Sequence, residues 1–166
     1  MKYLLLILLS VLPFTRQQAQ PEFILPLVEL EEVIVEYTPA QEIFETALSY
    51  GLDSTMAKLL VSQAIHETGN FKSKLFREGN NAFGMMRGKL DTLAIASTRA
   101  ERRNGYAVYN SIEHSTLAVI GLLTRKGCQF KFNTPRDYAI WLKSKGYYED
   151  TVANYSKALN KRFNEL

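Results

Sequence analysis

Apolar residues recur at helical spacing along most of the chain from residue 38 onward. Ile43, Phe44, Ala47 and Leu48 form a first stripe. Ahead of it, Thr38-Pro39-Ala40-Gln41 supplies an N-cap, a proline at the first helical position and a capping-box partner, and Gly51 marks the end. Asp53 or Ser54 caps a second helix, with Met56, Leu59, Leu60 and Ala64 on one face and Gly69 as its C-cap. A third helix is predicted from Asn110 or Ser111 to Gly127, with Leu117, Ile120 and Leu123 inward. A fourth runs from Thr134-Pro135 to Gly146, around Tyr138, Ile140 and Trp141. A fifth begins near Thr151 and aligns Val152, Tyr155, Leu159 and Phe163.

The pattern breaks between residues 71 and 109. Gly79, Asn80, Asn81, Gly84 and Gly88 mark irregular chain. Within it, Leu93–Ser97 and Tyr106–Tyr109 read as short strands with Asn104-Gly105 near the turn. The expected fold is therefore α+β and mostly α, a helical body carrying a small loop or β-hairpin lobe. A cleft between two lobes suits a polymeric substrate.

The first 37 residues read differently. Lys2 precedes the apolar run Tyr3–Phe14, and Ala19 is a small residue placed for cleavage. Residues 1–19 are thus expected to be a secretory signal peptide, its apolar part too short to span a bilayer comfortably, with an uncleaved membrane anchor as the alternative. With no cysteine after the run, no lipid anchor is expected once it is removed. Residues 20–37, broken by Pro21 and Pro26, form a linker or arm, in which Val33–Tyr37 suits an edge strand or an extended segment. Residues 38–166 form the functional domain.

Charge narrows the partners. Of 20 basic and 17 acidic residues, two bases fall in residues 1–19 and five acids in 20–37, which leaves 18 against 12 in the remainder. A modestly basic domain suits an anionic polymer such as a bacterial cell wall. The bases are scattered and match no nucleic-acid motif, so nucleic acid is not an expected partner. His66 and His114 are the only histidines and make no metal-ligand pattern, so no metal site is predicted. The single cysteine, Cys128, cannot form an internal disulfide and is expected to be a buried structural thiol.

One side chain stands out. Glu67 follows Leu60 by seven residues, Gln63 by four and Ala64 by three, so it shares their face at the end of the second helix. Core-side burial and the negative end of the helix dipole both disfavour its charged form and raise its pKa. A carboxyl group that keeps its proton near neutral pH serves as a general acid. The bland alternative is an exposed Glu at a frayed helix end. His66, beside it, points to another face and is expected to be structural.

The order of short segments carries a resemblance. Gln63-Ala64-Ile65-His66-Glu67-Thr68-Gly69, then Asn81-Ala82-Phe83-Gly84-Met85, then Tyr109-Asn110-Ser111, then Gly146-Tyr147 and Tyr155-Ser156-Lys157-Ala158-Leu159 resemble the glucosaminidase family of cell-wall hydrolases. That family (glycoside hydrolase family 73) includes autolysins, flagellar peptidoglycan hydrolases and phage lysins. The resemblance covers residues 40–163. It implies a lysozyme-like fold and hydrolysis of the β-1,4 bond after N-acetylglucosamine in peptidoglycan, with Glu67 as general acid and no cofactor; a muramidase or transglycosylase of the same fold, or a non-catalytic wall-binding module, is the alternative. It implies substrate contacts from Asn81, Phe83, Gly84, Tyr109, Tyr147 and Tyr155. Residues 1–19 place the protein outside the cytoplasm, either secreted or in the envelope, and a monomer is expected.

Thr98-Arg99-Ala100-Glu101 resembles the stretch in which the family often carries a second acid. Glu101 is then the candidate base for water, at a carboxyl separation of roughly 6.5–9.5 Å. A solvated loop role for Glu101 stays open, as does assistance by the substrate's own acetamido group, with Asp91 a lesser candidate. Two departures are visible. Asn70-Phe71 replaces the usual segment after the catalytic Glu, and His114-Ser115 replaces a usual Glu-Ser, where a capping hydrogen bond is the role open to His114.

Overall fold

The computed structural model describes residues 37–97 and 105–166. The signal segment, nearly all of the 20–37 arm, Glu101 and Asn104 lie outside the described residues. In chain order the elements are α1 (Pro39–Ser49), α2 (Ser54–Glu67), α3 (Lys74–Gly79), β1 (Ala96–Ser97), β2 (Ala107–Val108), α4 (Ile112–Arg125), α5 (Pro135–Ser144) and α6 (Val152–Phe163).

Local chemistry explains the helix starts. Thr38 caps α1 with the reciprocal Gln41 bond of a capping box, and Pro39 occupies the first turn. Asp53, Ser73, Ser111, Thr134 and Thr151 cap the other helices, each accepting a backbone N–H from the first turn. Packing sets the rest. α2 lies against α1 and α6, while α4 packs on α1 and α5 on α6. Accordingly α2 is buried almost all round, from Leu59 through Ile65 without interruption. Cys128 is buried as expected. None of the described helices is long and apolar enough to cross a membrane.

The small lobe is a minimal sheet. β1 and β2 pair antiparallel, with Ala96 opposite Val108 and Ser97 opposite Ala107. A bridge between Met86 and Tyr106 draws the preceding loop alongside. The strands are shorter than the sequence pattern predicts, because Asp91 turns the chain instead, accepting the backbone N–H of Leu93 and Ala94.

Two further expectations need correction. The stretch after Phe71 is not wholly irregular. Ser73 caps the short helix α3, which ends at Asn80 in the left-handed conformation. Ile140 does not face the core; α5 turns Tyr138, Ala139 and Leu142 inward and leaves Ile140 exposed.

Candidate active site

Glu67 is the last residue of α2 and is half-buried. The chain leaves the helix through Gly69, Asn70 and Phe71, all at positive φ. Thr68 makes this sharp exit possible. Its hydroxyl donates to the Ala64 carbonyl at 2.6 Å and accepts the Phe71 N–H at 2.8 Å. Phe71 then packs on Phe76 of α3, ring centroids 5.1 Å apart. The Asn70-Phe71 departure is thus accommodated by a left-handed turn anchored on its own helix.

The carboxyl group has two unlike oxygens. Oε1 accepts the Tyr155 hydroxyl at 2.7 Å. Oε2 lies 3.7 Å from where a Cβ on Gly84 would sit, so the glycine backbone passes close beside it. Gly84 has φ +61°, which a side chain would strain. Burial pushes the Glu67 carboxyl above its ordinary 4.5. The Tyr155 hydrogen bond, and after it the charge of His66, pull in the opposite direction without cancelling the rise.

Tyr155 is itself fixed on two sides. Its ring stacks on Tyr148 at 3.8 Å, and His66 meets its edge at 5.1 Å. Burial, and then the nearby Glu67 charge, hold its phenol far above the usual range, so it stays a neutral donor. His66 is exposed, and its role is this edge contact.

A cavity of about 310 Å³ opens in front of Glu67. Phe83, Gly84 and Met85 form one wall and Gly146-Tyr147 another. Asp91 and Met86 come from the small lobe, and Leu122, Arg125 and Lys126 from the end of α4. The Tyr147 hydroxyl donates to the Phe83 carbonyl at 3.0 Å and ties two of these walls together.

Of the residues expected to contact substrate, Phe83, Gly84 and Tyr147 line this cavity. Asn81 and Tyr109 do not, and this corrects the expectation. Each is 1% exposed, with its polar atoms engaged by the protein. Asn81 Nδ2 donates to the Met85 and Ala107 carbonyls, and its Oδ1 accepts the Met85 N–H. The Tyr109 hydroxyl donates to Asp91 at 2.6 Å. Tyr155 is 3% exposed and reaches the cavity only through Glu67. His114 does not cap through its ring. Its backbone N–H donates to Ser111, and its Nδ1 is buried without a partner. Ser115 instead anchors the loop, accepting the Ala82 N–H at 3.0 Å.

Sequence reasoning missed Arg125 and Lys126. The signal was present, since a basic pair closes the last turn of α4 just before Gly127, but nothing in the pattern told which helix ends meet at Glu67. Among the described residues no cluster of ligating side chains can hold a metal.

A half-buried carboxyl at a helix end, facing a groove between a helical body and a small lobe, fits a lysozyme-like fold. The match to a family model agrees. Residues 40–166 match the glucosaminidase model, described as mannosyl-glycoprotein endo-beta-N-acetylglucosaminidase, and the chain belongs to that family. It is a glycoside hydrolase of the endo-β-N-acetylglucosaminidase type. A search of curated proteins finds no match. Among solved structures, a peptidoglycan hydrolase from Sphingomonas sp. A1 aligns with a TM-score of 0.55 at 24% identity, over 74% of this chain and 81% of that one. A type VI secretion system effector–immunity complex from Pseudomonas protegens contains a chain that aligns with a TM-score of 0.54 at 19% identity, over 74% of this chain and 86% of that one. Both likenesses establish the shared fold.

The two oxygens of Glu67 make a prediction about pH. Tyr155 donates to Oε1 and so favours the ionised carboxylate. Tyr155→Phe removes that donor while keeping the stacked ring. The Glu67 pKa should then rise further, and the alkaline limb of the pH–activity profile should move to higher pH. A limb that stays in place would show that Tyr155 does not act on the titrating group.

Proposed function

We propose that this chain hydrolyses the β-1,4 bond after N-acetylglucosamine in peptidoglycan, with Glu67 as general acid. The observation that carries the proposal is the asymmetric environment of one carboxyl group. Burial raises its pKa, Tyr155 occupies Oε1, and Oε2 is left beside Gly84 at the cavity.

The proton sits on Oε2 and passes to the glycosidic oxygen as the bond from that oxygen to the anomeric carbon breaks. Positive charge then spreads over the ring oxygen and the anomeric carbon. Water adds to that carbon and gives a proton to a base. Glu101 is the proposed base, with Asp91 or the substrate's acetamido group as the other routes. Asp91 lines the same cavity, but three of its acceptor positions are already taken by Tyr109, Leu93 and Ala94. Tyr147 supplies flat surface for a sugar ring, while Phe83, 2% exposed, backs the wall from within. Peptidoglycan as substrate rests on the basic charge of residues 38–166 and on the Sphingomonas relative, itself a peptidoglycan hydrolase. Residues 1–19 are proposed to direct export to the envelope, where that substrate lies.

The test is digestion of purified peptidoglycan, followed by reduction of the new ends and mass spectrometry. Reduced N-acetylglucosamine ends are expected. Reduced N-acetylmuramic acid would indicate a muramidase and anhydro ends a transglycosylase, and either would overturn the assignment.

A further inference from the structure

The end of α4 brings two cations to the same cavity as Glu67. Arg125 is exposed and Lys126 half-buried, and both line it. Neither is in an ion pair among the described residues, where the ion pairs join Lys74 to Glu78 and Arg162 to Glu165. Lys126 Nζ donates to the Lys145 carbonyl at 2.9 Å, which holds its ammonium beside the Gly146-Tyr147 wall. The Arg125 guanidinium lies back along its helix over Gly121. A Cβ at residue 121 would come within 3.3 Å of Nη1, so glycine there leaves room for it. The other acid that lines the cavity, Asp91, is already bonded by three protein donors. Among the described residues the two cations thus line the cavity without an ion-pair partner.

A neutral polymer of N-acetylhexosamine offers such a pair hydrogen-bond acceptors but no opposite charge. A glycan whose alternate sugars carry a carboxylate does. We propose that Arg125 and Lys126 form a carboxylate subsite next to the scissile bond, which takes the anionic substituent of the muramyl sugar. That carboxylate has two sources: a peptide stem, or the bare lactyl group of a strand whose stem has been removed. Arginine suits it because its planar fork pairs with both carboxylate oxygens. This inference rests on the peptidoglycan reading given above.

The experiment measures binding rather than turnover. Glu67→Gln is used as background so that ligands stay intact. Its calorimetric Kd is determined for strands with stems, for strands with bare lactyl groups, and for a neutral N-acetylglucosamine hexamer. Adding Arg125→Gln should weaken binding of at least one anionic ligand by about tenfold, flatten its salt dependence, and lower its preference over the hexamer by the same factor. The anionic ligand that responds identifies the source. Arg125→Lys should restore part of the loss, and because Arg125 is exposed the fold should persist. Equal weakening for all ligands, or no change for either anionic one, would overturn the subsite. Failure of the peptidoglycan reading itself would be seen separately, as the wrong reducing ends from the wild-type enzyme.

Discussion

Glu67→Gln should reduce turnover of peptidoglycan by about a thousandfold or more, within the 10² to 10⁴ that a positioned general acid contributes. Glutamine keeps the shape and an oxygen that can accept the Tyr155 hydroxyl, but it has no proton to give to the leaving oxygen. Release of reducing ends from purified walls is the measurement, with binding to the same walls as the control. Retained turnover in a folded variant would remove Glu67 from the reaction.

The same substitution has a signature in stability, which separates a buried acid from an exposed one. The folded state holds the Glu67 proton to a higher pH than the unfolded chain, whose carboxyl titrates near 4.5. Between those two values the native state binds more protons. Wild-type stability therefore falls as pH rises from about 4.5 through the folded pKa. Below 4.5 both states are protonated and the penalty vanishes. Glu67→Gln lacks this loss. Its melting temperature relative to wild type should rise across that window and level off above it. Parallel profiles for the two proteins would mean that the carboxyl is not held protonated by the fold.

Much of this arrangement was legible in the sequence, for definable reasons. Helix ends follow short-range chemistry, so Thr38-Pro39, Asp53, Ser111, Thr134-Pro135 and Thr151 announced themselves. The face of Glu67 followed from spacing alone, because a residue seven after Leu60 shares its side of a helix. The six-residue α3 was not legible, since it is too short to show a period. Nor were the roles of Asn81 and Tyr109. Family order places both near the cleft, but only the fold shows which side of the wall each occupies. The cation pair at Arg125 and Lys126 was hidden for the same reason: its meaning depends on α4 ending beside the Phe83 and Tyr147 walls, a long-range contact with no local signal.

Asn81→Ala should have the largest effect on stability, although the residue touches no substrate. Its side chain stands in for a strand partner. Nδ2 donates to Met85 O at 2.9 Å and to Ala107 O at 2.8 Å, while Oδ1 accepts the Met85 N–H at 2.9 Å. These bonds join the Phe83–Met85 wall to β2 in a region closed to water. Alanine would leave the Ala107 carbonyl short of a donor and the Phe83 and Met85 N–H groups without this acceptor, while the Met85 carbonyl keeps the Ala107 N–H. Each such buried loss costs about 1–3 kcal/mol, so a total of about 3 kcal/mol is expected after partial relaxation. In a domain of this size that lowers the melting temperature by roughly 10 °C. Activity should fall further than stability requires. Measured well below the melting point, kcat/KM should drop by about a hundredfold, because Gly84 flanks Glu67 Oε2 and a shift of about an ångström there misplaces the acid. Asn81→Asp separates the two parts. It keeps the Met85 N–H bond, loses both donated bonds and sets a carboxylate against two carbonyls, so it should be at least as damaging as alanine. An Asn81→Ala protein that melts with wild type and retains full activity would show that the wall beside Glu67 is held by other means.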